Sequence, residues 1–203
     1  MTGMPSAQRP PRPPRADARR NAARVLTAAR QAVAAHGFDV SYHEIARLAE
    51  VGVGTVYRRF PERAGLLEAV LLDVLGELAD SAEQALGEDE SWPAFTRFFT
   101  GLALRTGENA GLSDSLDDRG GPQVAAARRT LLDRVQRLTE RAQRDGVLRA
   151  DLSWRDIPFL ARAAAAGACV LDLPADRLQV ERCVTVVLDG MRAPASTPLP
   201  DRL

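Results

Sequence analysis

Thr55, Tyr57, Arg58 and Arg59 fall within five residues and bring together a hydroxyl, a phenol and two guanidinium forks. With the methyl groups of Val53 and Thr55 and the bare backbone of Gly54 beside them, such groups suit base edges and phosphates in a major groove. That chemistry is recognition rather than bond-making. No nucleophile and base stand at a productive spacing, no glycine-rich phosphate loop appears, and no strand-like alternation runs through the chain, so an enzyme is not expected.

Two short helices with a tight break between them must carry these residues. Ser41 followed by Glu44 is a capping box, which starts a helix at Tyr42. Ile45 and Ala49, with Leu48 beside them, give that helix an apolar face, and Arg47 falls on another side. Glu50, Val51 and Gly52 interrupt it. Gly52 serves as the cap of a second helix over Val53 to Arg59, because glycine is only a few tenths of a kcal/mol worse than the better caps. Val56 and Phe60, one turn apart, point inward. The pattern is a helix-turn-helix.

The run Ile45-Ala46-Arg47-Leu48-Ala49-Glu50-Val51-Gly52-Val53-Gly54-Thr55-Val56-Tyr57-Arg58-Arg59-Phe60 resembles the tetracycline-repressor (TetR) family of bacterial transcription regulators. The usual run of that family is Ile-Ala-x-x-Ala-Gly-Val-x-x-Gly-Thr-x-Tyr-x-x-Phe. The match extends through a first helix, Arg20 to Gly37, and through Pro61 to Leu67, about the first third of the chain. The resemblance implies binding to double-stranded DNA through Tyr42, Val53, Gly54, Thr55, Tyr57, Arg58 and Arg59, with Arg63 at the family's basic phosphate contact. It also implies a homodimer built on a four-helix bundle from two copies. Glu50 departs from the family, standing where the turn glycine is usual. A non-glycine residue at positive φ costs on the order of 1 kcal/mol, so either the turn is strained or its backbone differs.

Charge is distributed in keeping with a DNA-binding end. The 203-residue chain has zero net charge, yet residues 1–65 hold 11 arginines against 5 acids and the remainder holds 16 against 22. All 27 cations are arginine, which suits bidentate contacts but also fits the codon usage of a GC-rich genome, the origin we favour. Cys169 and Cys183, with no histidine near either, suggest neither a disulfide nor a metal site and read as small buried hydrophobes on helices. The lack of a long apolar run argues against a membrane span, and a cytoplasmic protein is expected. Residues 1–16, rich in proline and arginine, read as an extended arm whose arginines either reach DNA or form an unselected tail.

Behind the helix-turn-helix, a helix opening at Pro61 and Glu62 carries Leu66, Leu67, Val70, Leu71, Val74, Leu75 and Leu78 out of the DNA-binding end. Ser91 caps the next helix, where Trp92, Phe95, Phe98 and Phe99 gather four of the ten aromatics. With Leu102 and with Leu116 on a short helix that follows, they form either core or the wall of a pocket for a small effector. Asp114, Asp117 and Asp118 read as a solvated turn. Pro122 starts a long amphipathic helix ended by Gly146, and Ser153 to Asp156 start another that runs on through Ala163 to Ala168. The last helix spans Pro174 to Arg192. Ala163, Gly167, Val184, Val187 and Met191 mark apolar surface in excess of one partner's need, an expected dimer interface.

The expected fold is all-α with about nine helices. After the arm come a three-helix helix-turn-helix DNA-binding domain over residues 17–65, a helical effector-binding and dimerisation domain over 66–192 and a proline-containing tail over 193–203. The expected function is a homodimeric, ligand-responsive regulator, a repressor released from a palindromic operator by a small apolar or amphipathic effector, with no cofactor and no metal. The competing reading is an effector-independent DNA-binding architectural protein or a helical interaction module.

Overall fold

Helix α1 (Pro14–His36) buries Val25, Ala28, Ala29, Ala32 and Val33, the i, i+3, i+4, i+7, i+8 stripe of an amphipathic helix. It starts at Pro14, three residues before residue 17 where the DNA-binding domain was expected to begin, since the fixed φ of proline fits a first helical turn. Residues 14–16 thus belong to the helix rather than to the arm. The structure, a computed structural model, describes residues 14–36, 40–108, 121–165, 169–170, 173–174, 176–194 and 197–200. The rest of the arm, Leu116, the three clustered aspartates and Gly167 lie outside the described residues.

Helix α2 (Tyr42–Leu48) and helix α3 (Val53–Arg59) follow, with α2 packed against both α1 and α3. Ser41 is extended and its Oγ accepts from the Glu44 amide at 3.2 Å, half of the capping box read from the sequence. Tyr42, Ile45, Ala46 and Ala49 form the buried face of α2, at i, i+3, i+4 and i+7. Leu48 lies off that stripe and is exposed, contrary to its expected place on the apolar face. Val56 and Phe60 are buried as their spacing requires.

These helices belong to one of two compact units, Met1–Leu66; the other is Leu67–Leu203. Helix α4 (Arg63–Leu86) begins two residues later than expected, because the Glu62 carbonyl accepts the Leu66 amide and so stands at the cap. In the second unit α5 (Ser91–Glu108) is central: it packs on α6 (Pro122–Arg144), α7 (Asp156–Ala164) and α8 (Arg177–Met191). Ala94, Phe95, Phe98, Phe99, Leu102 and Ala103 are all buried, a stripe two residues wide that faces more than one neighbour. Ser91 begins α5, but its hydroxyl donates to Asp145. Gly107 permits the close approach of α5 to the end of α7, since a Cβ there would stand 3.2 Å from that of Ala165.

Among the described residues there are eight helices, and the expected short helix around Leu116 falls outside them. Two features differ from the all-helical reading of the last third. Cys169–Val170 (β1) and Leu173–Pro174 (β2) pair antiparallel, so the expected run of α7 through Ala168 gives way by Cys169 to a strand pair, and Cys169 is not helical. Pro174 lies in β2, and α8 starts at Arg177 with Asp176 capping it by accepting from the Gln179 amide at 2.8 Å. Cys183 is half-buried rather than buried, because it flanks the stripe of Val184, Leu188 and Met191 that α8 turns inward. No helix among the described residues is long and apolar enough to cross a membrane.

Candidate nucleic-acid interface

Val56 is the only residue of α3 that is buried, so the helix turns the rest of its surface outward. Gly54, Tyr57, Arg58 and Arg59 are exposed, Val53 and Thr55 half-buried, and Arg63 is exposed at the start of α4. Arg58 Nη2 donates to Thr55 Oγ1 at 3.2 Å, while its Nη1 lies 3.8 Å from where a Cβ on Gly54 would stand. The Arg59 guanidinium sits 5.0 Å from the centre of the Phe60 ring, a cation–π contact that orients it. Donors, a methyl group and an aromatic edge therefore line the outward surface of a helix that fits a major groove.

Tyr42, named among the DNA contacts, is placed differently. It is 8% exposed, because it shares the inward face of α2, and its ring centre lies 4.8 Å from that of Tyr57. Its hydroxyl is buried without a protein partner. Burial pushes this phenol above its ordinary value, against the pull of the Arg63 guanidinium. Tyr42 supports Tyr57 from below rather than offering its own edge.

The turn before α3 settles the question that Glu50 raised. Glu50 has φ 51°, so the left-handed backbone of a glycine turn is kept with a glutamate in it. The Glu50 amide donates to the Arg47 carbonyl at 3.2 Å and the Val51 amide to that of Ala46 at 3.0 Å, the paired bonds of a Schellman motif. From α1, Arg24 Nη2 donates to both the carbonyl and the carboxylate of Glu50, each at 3.1 Å. The sequence offered no sign of this contact, which spans 26 positions.

Residues 25–70 match the N-terminal domain of the bacterial regulatory proteins of the TetR family, and residues 92–193 match the C-terminal domain of SbtR-like transcriptional regulators. A TetR transcription regulatory protein from Mycobacterium vanbaalenii is 35% identical, with 89% of this chain and all of that chain covered at a TM-score of 0.67. The chain belongs to the TetR family. A TetR transcriptional regulator from Streptomyces coelicolor is 28% identical over 85% of this chain and 99% of that one, at a TM-score of 0.66. The fatty acid degradation regulator FadR from Bacillus halodurans is 17% identical over 84% of this chain and all of that chain, at a TM-score of 0.54, a likeness that shows the fold alone. Comparison with the curated proteins finds no match.

In the second unit of this TetR-family regulator, Trp92, Phe95 and Phe99 form one column along α5. Ring centres lie 6.2 Å and 6.3 Å apart, with planes within 20° and 14° of parallel. Phe95, Phe99 and Leu102 are buried and Trp92 is half-buried, with the Arg192 guanidinium 5.1 Å from its ring centre. Beside the column the Thr96 hydroxyl is buried without a protein partner.

Of the residues named for the dimer interface, Val184 and Met191 face the chain's own core, Val187 is half-buried and Ala163 is exposed. The exposed large apolar side chains of α7 and α8 are Phe159 at 76%, Leu178 at 63% and Val186 at 72%. The signal of Leu178 and Val186 in the sequence was an apolar residue left off the 184, 188, 191 stripe of α8.

The tail is anchored as well. Arg149 pairs with Asp151 at 2.7 and 2.8 Å and donates to the Gly190 and Thr197 carbonyls, while the Leu199 amide donates to Asp151 at 2.8 Å. Backbone bonds from Arg149 to Met191 and from Ala193 to Val147 complete the attachment. Among the described residues no group of three or more histidines, cysteines and acids is placed to hold a metal ion.

Proposed function

We propose that this chain is a homodimeric repressor that binds a palindromic operator in the cytoplasm and is released by a small apolar or amphipathic effector. The observation that carries the DNA-binding part is the exposed face of α3, with Thr55, Tyr57, Arg58 and Arg59 outward and Val56 inward. Arg63 joins it as a phosphate contact. The domain roles follow: residues 17–65 read DNA, and 66–192 bind the effector and the second copy.

Two half-sites about 34 to 36 Å apart require two recognition helices, hence a dimer. Phe159, Leu178 and Val186 support such an assembly, since large apolar side chains this exposed favour burial against a partner. Val187 and Ala163 remain at its edge. Trp92, Phe95, Phe99 and Leu102 support an apolar effector, and the unpartnered Thr96 hydroxyl beside them supports one that also carries a polar group.

Selection of duplexes from random DNA by the purified protein tests the reading. A palindrome with two half-sites is expected, and its affinity should fall linearly in log–log form as salt rises. A panel of small amphipathic compounds then tests the effector: a true one weakens operator binding by the same factor by which operator weakens its own binding. Selection of no duplex would refute the operator, and a palindrome bound equally tightly with every compound would favour the effector-independent reading.

A further inference from the structure

We infer that Arg24 is a positioning residue of the DNA interface, acting through Glu50 rather than on DNA. The inference rests on the DNA-binding reading. Glu50 is the sole non-glycine residue at positive φ among the described residues, and it occupies the turn that sets the direction of α3 against α2. Left-handed backbone at a residue with a Cβ persists only where its surroundings hold it. One guanidinium nitrogen of Arg24, on a third helix, holds the carbonyl and the carboxylate of that residue together, each at 3.1 Å. Side chain and backbone of the same residue are thereby fixed to α1, which prevents the turn from relaxing to right-handed geometry and re-aiming α3. An acid beside the phosphate-facing helix would repel DNA, and Arg24 compensates its charge.

A glycine at position 50 would need none of this, so the roles of the two residues are coupled. The test uses Arg24→Ala, Glu50→Gly and the double variant, each titrated at several salt concentrations with a duplex selected by the wild-type protein from random DNA. Arg24→Ala should weaken binding about fivefold with the salt slope unchanged, because no phosphate contact is lost. In the Glu50→Gly background the same substitution should change affinity less than twofold. Arg24→Gln, which retains a donor, should fall between wild type and Arg24→Ala, and thermal melts should show all variants folded, since the pair lies at the surface.

A salt slope smaller by about 1 for Arg24→Ala would mean that Arg24 itself meets a phosphate, and would overturn the inference. So would an equal loss in both backgrounds. If the wild-type protein selects no duplex, the DNA-binding reading falls and the inference with it; if it selects one and the cycle shows no coupling, only the inference falls.

Discussion

At Glu50 in the first unit and at Gly146 in the second, a helix ends in a left-handed residue, with φ of 51° and 70°, and the same two backbone hydrogen bonds close it. After α6 the Gly146 amide donates to the Gln143 carbonyl at 3.0 Å and the Val147 amide to that of Ala142 at 3.1 Å, as Glu50 and Val51 do after α2. Glycine adopts this backbone without a Cβ penalty and needs no neighbour: nothing lies within 4 Å of where its Cβ would be. Glutamate does not, and a guanidinium from α1 is spent on it. A third helix end, that of α4, is secured by neither means. Arg141 from α6 donates to the carbonyls of Ala85 and Leu86 at 3.2 and 2.8 Å, and beyond them to those of Glu88 and Asp89. Local backbone amides alone close the end of α6, whereas at α2 and α4 a distant arginine adds to them, holding Glu50 in one case and the carbonyls of Ala85 and Leu86 in the other. The local solution is autonomous, whereas the distant one makes the end of a helix depend on the packing around it.

The core against which all three ends are measured gives the largest expected effect. Phe99→Ala removes a fully buried ring from the column on α5 and should cost about 3 to 5 kcal/mol in urea unfolding. A loss below about 1 kcal/mol would show that the ring is not packed as tightly as its burial implies. Next comes Arg141→Ala, which strips the carbonyls at the end of α4 of a mostly buried charged donor and should cost about 1.5 to 3 kcal/mol. An effect as small as that of an exposed ion pair would show that this end needs no brace.

The two turns can then be compared directly. Gly146→Ala has room for the methyl group, so its cost of about 1 kcal/mol should come from backbone alone. Glu50→Gly should be close to neutral in a thermal melt, since relief of about 1 kcal/mol of strain is offset by the greater freedom that glycine gives the unfolded chain, about 0.4 to 1 kcal/mol. Equal and large losses at both positions would erase the distinction between a free turn and a braced one.

The smallest effect concerns a further arginine–carboxylate pair that holds backbone, Arg149 and Asp151. The Arg149 side chain, followed by the Leu199 amide, holds the Asp151 carboxyl far below its ordinary value of 3.8. A depressed folded-state value contributes stability that is fully present above the unfolded value and is lost as pH falls below it. The gap in urea midpoint between wild type and Asp151→Asn should therefore be constant from about pH 5 to 8 and narrow below about pH 4. A gap that instead widens in acid would contradict the pairing of Asp151 with Arg149 and the Leu199 amide.

What the sequence determined by itself was local. The spacing of Ser41 and Glu44, the inward pair Val56 and Phe60, the proline at the start of α6 and the glycine at its end are each read within a few residues, because capping and helical periodicity act over one or two turns. The motif around α3 therefore made the family and the face of α3 legible. Tertiary structure decided what depends on a partner from elsewhere in the chain. It turned Tyr42 inward beneath Tyr57, committed Val184 and Met191 to the core while leaving Phe159, Leu178 and Val186 outside, folded the tail onto Arg149, and resolved the strained turn at Glu50 by bringing Arg24 to it. A left-handed glutamate is disfavoured by every local rule, so only a contact made across 26 residues could make that backbone the stable one.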